Sequence, residues 1–493
     1  MSDLRNRNGN GISRLDFLKS SALAVGGGIV GSRMDIPVEK LKKHSGKAKN
    51  VIFLVSDGMS AGTLTMADLV KREQQGEPTW WINLYENPDR KFNRGLMDMA
   101  SLDSSVTDSA AAASSWGCGY RINNDSVNLG PGGEEYKTIL EIFRDAGKST
   151  GLVTTTRITH ATPSGFSANV PARGMEDEIA EQYSERDYDL LLGGGRRHFS
   201  ADLRDDGKDL YQVFREKGYS IVQTREELHR AGRRSKLLGT FNDSHLPYSI
   251  DHQADEELQR SVPTLSEMTQ TALDRLEQNE DGFILQVEGG RVDHGAHDND
   301  AAGMIYDQIA FDDAVKVVMD YTEDRDDTLV ILTTDHGNAN PGLSAHGPGY
   351  RESPKMFRTL HQYRHSFEWV YNQFGYHWSH DSIDDSVSEN QIREALEYAT
   401  QTRITDEESS MIYKAFQGEF RAPYRNREDP GAVMAGVLAN YNGVYFISTQ
   451  HTADYVEIAA WGPGSEEIPA FVKNTALFDL MVEAAGVRRY AEG

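Results

Sequence analysis

One cysteine, Cys118, stands among 493 residues, so an internal disulfide is excluded and no thiolate zinc site can be built. In the helix expected after Ser109 it reads as a small buried apolar residue. Basic residues are also scarce: 51 Lys and Arg against 76 Asp and Glu give a formal net charge of -25. Nucleic acid and anionic membranes require a basic face, so neither is an expected partner. No apolar run is long enough to cross a bilayer, and the chain has no internal repeat and no low-complexity stretch. What is left, 38% hydrophobic and 26% charged residues, is the composition of a soluble globular chain. Its length suits one large α/β domain with insertions, or two domains.

The N-terminus carries a short apolar, glycine-rich run from Ser20 to Gly31 behind Ser13-Arg14-Leu15-Asp16-Phe17-Leu18-Lys19. The run matches the apolar region of an export signal. The segment resembles a twin-arginine signal, with Leu15 where the second arginine would stand. Residues 1–32 are therefore expected to export the protein to the periplasm or the cell exterior.

From about Lys47 apolar runs alternate with helical segments, the pattern of a mainly parallel sheet. Strands are expected at Val51–Val55, Leu96–Ala100, Gly151–Thr155, Leu190–Leu192, Phe283–Val287 and Thr328–Thr333, with helices at Ser60–Gln74, after Ser109, and from Ala301 to Tyr321. From Gly347 to about Tyr441 the alternation stops and aromatic residues accumulate. Ser388-x-x-Gln391 and Thr405-x-x-Glu408 read as capping boxes, and Asp429-Pro430 as a cap with proline at the first helical position. Strands resume at Val444–Ile447 and Val456–Ala460. The expectation is a three-layer α/β/α sandwich around a large, mainly parallel sheet, formed by residues 47–346 and 441–493. Residues 347–440 are a helical insertion within it. The charged stretch from Phe199 to Leu246 receives no function.

Carboxylates and imidazoles gather where strands end. Asp57, Glu288 and Asp335-His336 each follow a predicted buried strand, and open α/β sheets place their sites at that edge. Asp293 and His297 are four residues apart, so one helical turn would put them on one face. His451 follows another strand. Singly, Asp-Gly is a turn signal and a histidine is an ordinary polar residue. Seven such groups together are hard to assign to turns, and oxygen and imidazole donors suit catalytic zinc and magnesium. Beside them, Val106-Thr107-Asp108-Ser109 runs into Ala110–Ala113. Alone this is an ordinary helix cap. Next to metal ligands, Ser109 at a helix start is a candidate nucleophile, because a serine hydroxyl needs a base or a metal to ionise it.

The motifs VSDGMS (55–60), VTDSAAA (106–112), THATP (159–163), VEGGRVDHGAH (287–297), TTDHGNANPG (333–342) and QHTADYVEIAAWGPG (450–464) closely resemble those of the metal-dependent alkaline phosphatases. The resemblance covers about 48–345 and 440–465 and leaves the N-terminus and 347–440 outside. It implies an exported phosphomonoesterase, usually homodimeric, acting through a phosphoserine at Ser109. Asp293, His297 and His451 would hold one zinc and Asp57, Asp335 and His336 a second. Asp57 would also bridge to a magnesium bound by Thr162 and Glu288. Arg173, thirteen residues after His160, would bind the phosphate, with Asp108 supporting the site. His160 and His294 replace, near the third metal and the phosphate, an aspartate and a lysine of some bacterial members, which leaves magnesium or a third zinc open there. The alternatives are a phosphodiesterase or phosphomutase of the same superfamily, or a metal- or phosphate-binding protein without turnover.

Overall fold

Apolar runs bury as strands and the segments between them close as helices, in the alternation expected. The computed structural model describes residues 48–233, 236–345, 349–376, 383–384 and 386–487; the export segment expected at 1–32 lies outside them. Among the described residues ten strands form one sheet. They are β1 (Asn50–Ser56), β2 (Asn93–Asp98), β3 (Ser149–Arg157), β4 (Leu190–Gly194), β5 (Ser220–Val222), β6 (Leu237–Thr240), β7 (Phe283–Gly289), β8 (Thr328–Thr334), β9 (Val456–Trp461) and β10 (Phe471–Lys473). Their spatial order is β10-β2-β9-β8-β1-β7-β3-β4-β6-β5. Only β9 runs against its neighbours, β8 and β2.

The central strands are buried on both faces, as parallel strands flanked by helices are. In β1 the side chains alternate between two helical layers. Phe53 packs on Trp116 and Phe166, at ring separations of 4.8 and 5.2 Å, on one side. Ile52 and Leu54 join the core built with Met66, Leu273 and Phe311 on the other. This is the three-layer sandwich.

Alanines and glycines set how closely the helix Ser109–Cys118 can approach the short helix Ala161–Gly165. A Cβ on Gly117 would lie 1.8 Å from the carbonyl oxygen of Gly165, so only glycine allows that contact. The Ala110–Ala113 run is wholly buried for the same reason. Sequence-level helix propensity therefore coincides here with a packing requirement.

The described residues between 353 and 442 are mainly helical, and both expected capping boxes form, at Ser388 and Thr405. Pro430 opens the helix Pro430–Asn442. One expected strand differs. Only Val444–Tyr445 extends, and it pairs with Gly342–Leu343 in a ribbon apart from the main sheet. A four-residue apolar run does not say which partner it will find, because β pairing is set by tertiary context.

Candidate active site

Three neighbouring strands, β8, β1 and β7, end together. Val55 is level with both Glu288 and Thr333, so Asp57, Glu288 and Asp335-His336 emerge at one edge. Gly58 turns the chain with φ +69°, and a Cβ there would lie 2.5 Å from Oδ1 of Asp293. Its N–H donates to Oδ1 of Asp335 at 2.9 Å. The Asp-Gly pair is thus both a turn and the device that packs two carboxylates together.

Asp293 and His297 share the helix Arg291–His297, as the four-residue spacing predicts. A two-residue ribbon, His451–Thr452 against Gly337–Asn338, brings His451 to them. Nδ1 of His297 donates to the Thr449 carbonyl at 2.7 Å and Nδ1 of His451 to the Thr107 carbonyl at 2.9 Å. Carbonyls only accept, so in the neutral rings both Nε2 atoms carry lone pairs. Those atoms lie 3.0 Å apart and 3.4 to 3.5 Å from the two oxygens of Asp293. Two lone pairs facing each other beside a carboxylate fit a cation between them.

His336 stacks on His451 with ring centroids 3.6 Å apart. Its Nε2 lies 3.2 Å from Oδ2 of Asp335, 3.6 Å from Oδ1 of Asp57 and 3.2 Å from Oγ of Ser109. Neither oxygen of Asp57 has a hydrogen-bond partner, nor has Oδ2 of Asp335, and all are buried. Buried charged oxygens without donors are costly, which is how a metal cluster reads. Glu288 is similar: Thr154 holds Oε2 at 2.5 Å, while Oε1 is buried without a partner. Asp57, His160 and Glu288 offer atoms close enough for one ion, as do Asp57, Asp293 and His336. Thr162 lies buried at the start of the Ala161–Gly165 helix, its Oγ1 also without a partner.

Ser109 opens its helix and is 1% exposed. Asp108 caps that helix through Ala111 N–H at 2.9 Å and holds Nη1 of Arg173 at 3.1 Å. Nη2 of Arg173 donates to Nε2 of His160 at 3.2 Å. A pocket of about 560 Å³ opens over this group, lined among others by Asn124, Arg173, His294 and Gln450.

The alkaline phosphatase family model matches residues 48–411. The chain belongs to the alkaline phosphatase family. Alkaline phosphatase 4 of Bacillus subtilis (strain 168) is 29% identical over 447 residues, which are 88% of each chain. The repressible alkaline phosphatase of Saccharomyces cerevisiae is 37% identical over 325 residues, 60% of this chain and 56% of its own. Among solved structures, the alkaline phosphatase of Thermus thermophilus matches with a TM-score of 0.82 at 34% identity, covering 91% of this chain and 94% of that one. The family match runs to residue 411, well into the stretch that the motifs alone left outside it.

All the residues singled out from the sequence converge on this edge of the sheet. Burial, with charge crowding behind it, governs their electrostatics. Burial, then Asp335, Asp293 and Glu288, hold the Asp57 carboxyl well above the usual range. Burial raises Asp335 to about 7. For His297 burial works downward, but Asp293, the Thr449 carbonyl and Asp298 together outweigh it and lift the imidazole to about 9. His160, His294 and His336 are held well below the ordinary histidine value, chiefly by burial.

Sequence reading missed His245. It sits past the carboxyl end of β6, and its ring lies 4.3 Å from that of His294 and 5.3 Å from that of His160. The strand-end rule that picked out Asp57 applies to it equally, but the charged Phe199–Leu246 stretch hid the strand.

Proposed function

We propose that this family member hydrolyses phosphate monoesters to an alcohol and inorganic phosphate through a phosphoserine at Ser109. The observation that carries the reading is the placement of Ser109 Oγ against His336, among buried carboxylate oxygens without donors and across from Arg173. Asp293, His297 and His451 would hold one zinc, and Asp57, Asp335 and His336 a second. Bound there, such ions would supply Lewis-acid charge to the oxygens of the phosphoryl transfer.

The chain's own groups do the rest. Arg173, planar and permanently charged, binds two non-bridging oxygens of the phosphoryl group. Asp108 holds that guanidinium in place from the cap of the nucleophile's own helix. Oγ of Ser109 forms a bond to phosphorus as the ester P–O bond breaks; the hydroxyl proton passes to solvent and the leaving alkoxide takes one up. Water then cleaves the Ser109–phosphate bond, releases inorganic phosphate and restores the hydroxyl. Assay with p-nitrophenyl phosphate against its bis ester tests the class. A monoesterase turns over the first far faster; preference for the diester would point to a phosphodiesterase, and no turnover to a binding protein.

Magnesium, rather than a third zinc, suits the third site. Arg173 donates to Nε2 of His160, so the neutral ring carries its proton on Nδ1 and offers no lone pair there. Asp57, Glu288 and Thr162 then form an all-oxygen donor set, which favours a hard cation. His160→Asp should add a hard ligand and lower the magnesium needed for half-activation by about tenfold. Titrating activity with magnesium checks this; an unchanged curve would make His160 a bystander.

Export and a homodimer belong to the same reading. Among the described residues no helix is long and apolar enough to cross a membrane. Removing residues 1–32 should leave activity intact and retain the enzyme inside the cell. Secretion of the shortened protein would defeat the signal assignment.

A further inference from the structure

The imidazoles of His160, His245 and His294 lie close enough for one ion. Arginine contacts rule that use out. Arg173 donates to Nε2 of His160, the peptide N–H of Arg157 donates to Nδ1 of His245 at 3.3 Å while its Nη1 lies against Nε2, and Nη1 of Arg291 donates to Nδ1 of His294 at 2.8 Å. Guanidinium and peptide N–H groups only donate, so the one lone pair of each neutral ring faces an arginine N–H rather than a shared ion. In His294 the proton of the neutral ring must then sit on Nε2. His294 lines the pocket, and an Nε2–H is a donor suited to a phosphate oxygen.

What holds Arg291 is a residue of the expected insertion. Arg291 is 3% exposed, lies with its guanidinium 3.8 Å from the ring centre of Tyr248, and pairs with Oε2 of Glu368 at 2.5 Å. Glu368 lies on the short helix Phe367–Asn372. That helix is fastened to the sandwich at its first turn. Phe367 N–H donates to Asp300 at 2.7 Å, and the N–H and hydroxyl of Ser366 donate to Asp251 at 3.0 and 2.5 Å. Asp300 in turn caps the helix Ala301–Thr322, which follows directly on the ligand motif. Glu368 is therefore fixed relative to His294 by two independent anchors, and Arg291 spans the gap with one fork to each.

We propose that Glu368 is a positioning residue that acts through Arg291 to keep His294 in the Nε2–H form, donating to the phosphate group in the pocket. The proposal rests on the phosphomonoesterase reading above for the identity of the anion. It gives residues 347–440 a part in the reaction: one of their side chains, which touches neither substrate nor metal, sets the donor pattern of the pocket.

The test uses the full, metal-loaded enzyme. Neutron diffraction of deuterium-exchanged wild-type crystals should place the deuteron of His294 on Nε2. Glu368→Gln, partly exposed and so tolerant of change, removes the charge that holds Arg291. Arg291→Lys keeps the charge but cannot contact both partners at once. In both variants KM and the inhibition constant for inorganic phosphate should rise together by about fivefold, the scale of one misdirected hydrogen bond. Turnover should move by less than about twofold, because substrate and product lose the same contact. Glu368→Asp should recover part of the loss. Wild-type density on Nδ1 would overturn the proposal, as would variants that lose thermal stability while KM and phosphate inhibition stay unchanged. Absence of phosphatase activity in the wild type would instead overturn the proposed function, while the deuteron position would still read the Arg291–His294 link.

Discussion

Ser109→Ala should lower turnover of a phosphate monoester by at least about a thousandfold, the scale seen when a nucleophile is removed from a working site. The substitution removes one oxygen and little else. Ser109 starts a helix whose next four residues are alanine, and alanine is the strongest helix former. The cap on that helix comes from Asp108, not from Ser109, so the helix and the Arg173 contact should survive. Metal content and thermal stability should stay near wild type, since none of the imidazole and carboxylate donors is altered. Circular dichroism and elemental analysis of the variant separate loss of chemistry from loss of structure. A variant that retains more than about a tenth of wild-type turnover would place the nucleophile elsewhere.

Chelation should have an effect of the same order. Several kcal/mol of transition-state charge stabilisation come from a metal pair, so activity of the metal-free protein should fall by at least about a thousandfold and return with zinc and magnesium. The structure adds a stability signature to that loss. Without ions, His297 in the folded protein titrates at about 9 against 6.5 when unfolded, and Asp335 titrates at about 7. Both folded-state values are raised, so the folded form holds more protons than the unfolded one between them and loses stability as pH rises. For Asp335 the window runs from the ordinary carboxylate value of 3.8 to about 7, and for His297 from 6.5, the unfolded histidine value, to about 9. On the proposed ligand set, ions would take the place of those protons in the loaded enzyme, and binding would strengthen as pH rises. The melting temperatures of loaded and chelated protein should therefore diverge from pH 6.5 to 9. Parallel curves across that range would contradict the assignment of these side chains as ligands.

The candidate ligands at strand ends were legible because buried parallel strands are written as unbroken apolar runs. VIFLV, FILQV and TLVILT announce β1, β7 and β8, and the first polar residues after each run land at one edge. The i, i+4 pair Asp293 and His297 was legible from helical period alone. His451 was legible only as a residue after a strand. What brings it to Asp293 is a two-residue ribbon with Gly337–Asn338, a pairing more than a hundred residues long in sequence that leaves no local pattern. Val444–Ile447 failed for the same reason. Arg291 and Glu368 were invisible, because a partly exposed glutamate 77 residues from a buried arginine has no periodic or compositional signal; its meaning is entirely in the packing of one short helix.

The central claim is that phosphate passes through Ser109. Acid quenching of wild-type enzyme during turnover of a phosphate monoester, followed by peptide mass spectrometry, tests it most directly. The account predicts one phosphorylated residue, Ser109, in the peptide spanning Val106 to Cys118, and no label in Ser109→Ala. A phosphoryl group on any other side chain, or none while substrate is being consumed under conditions that trap phosphoserine, would contradict it.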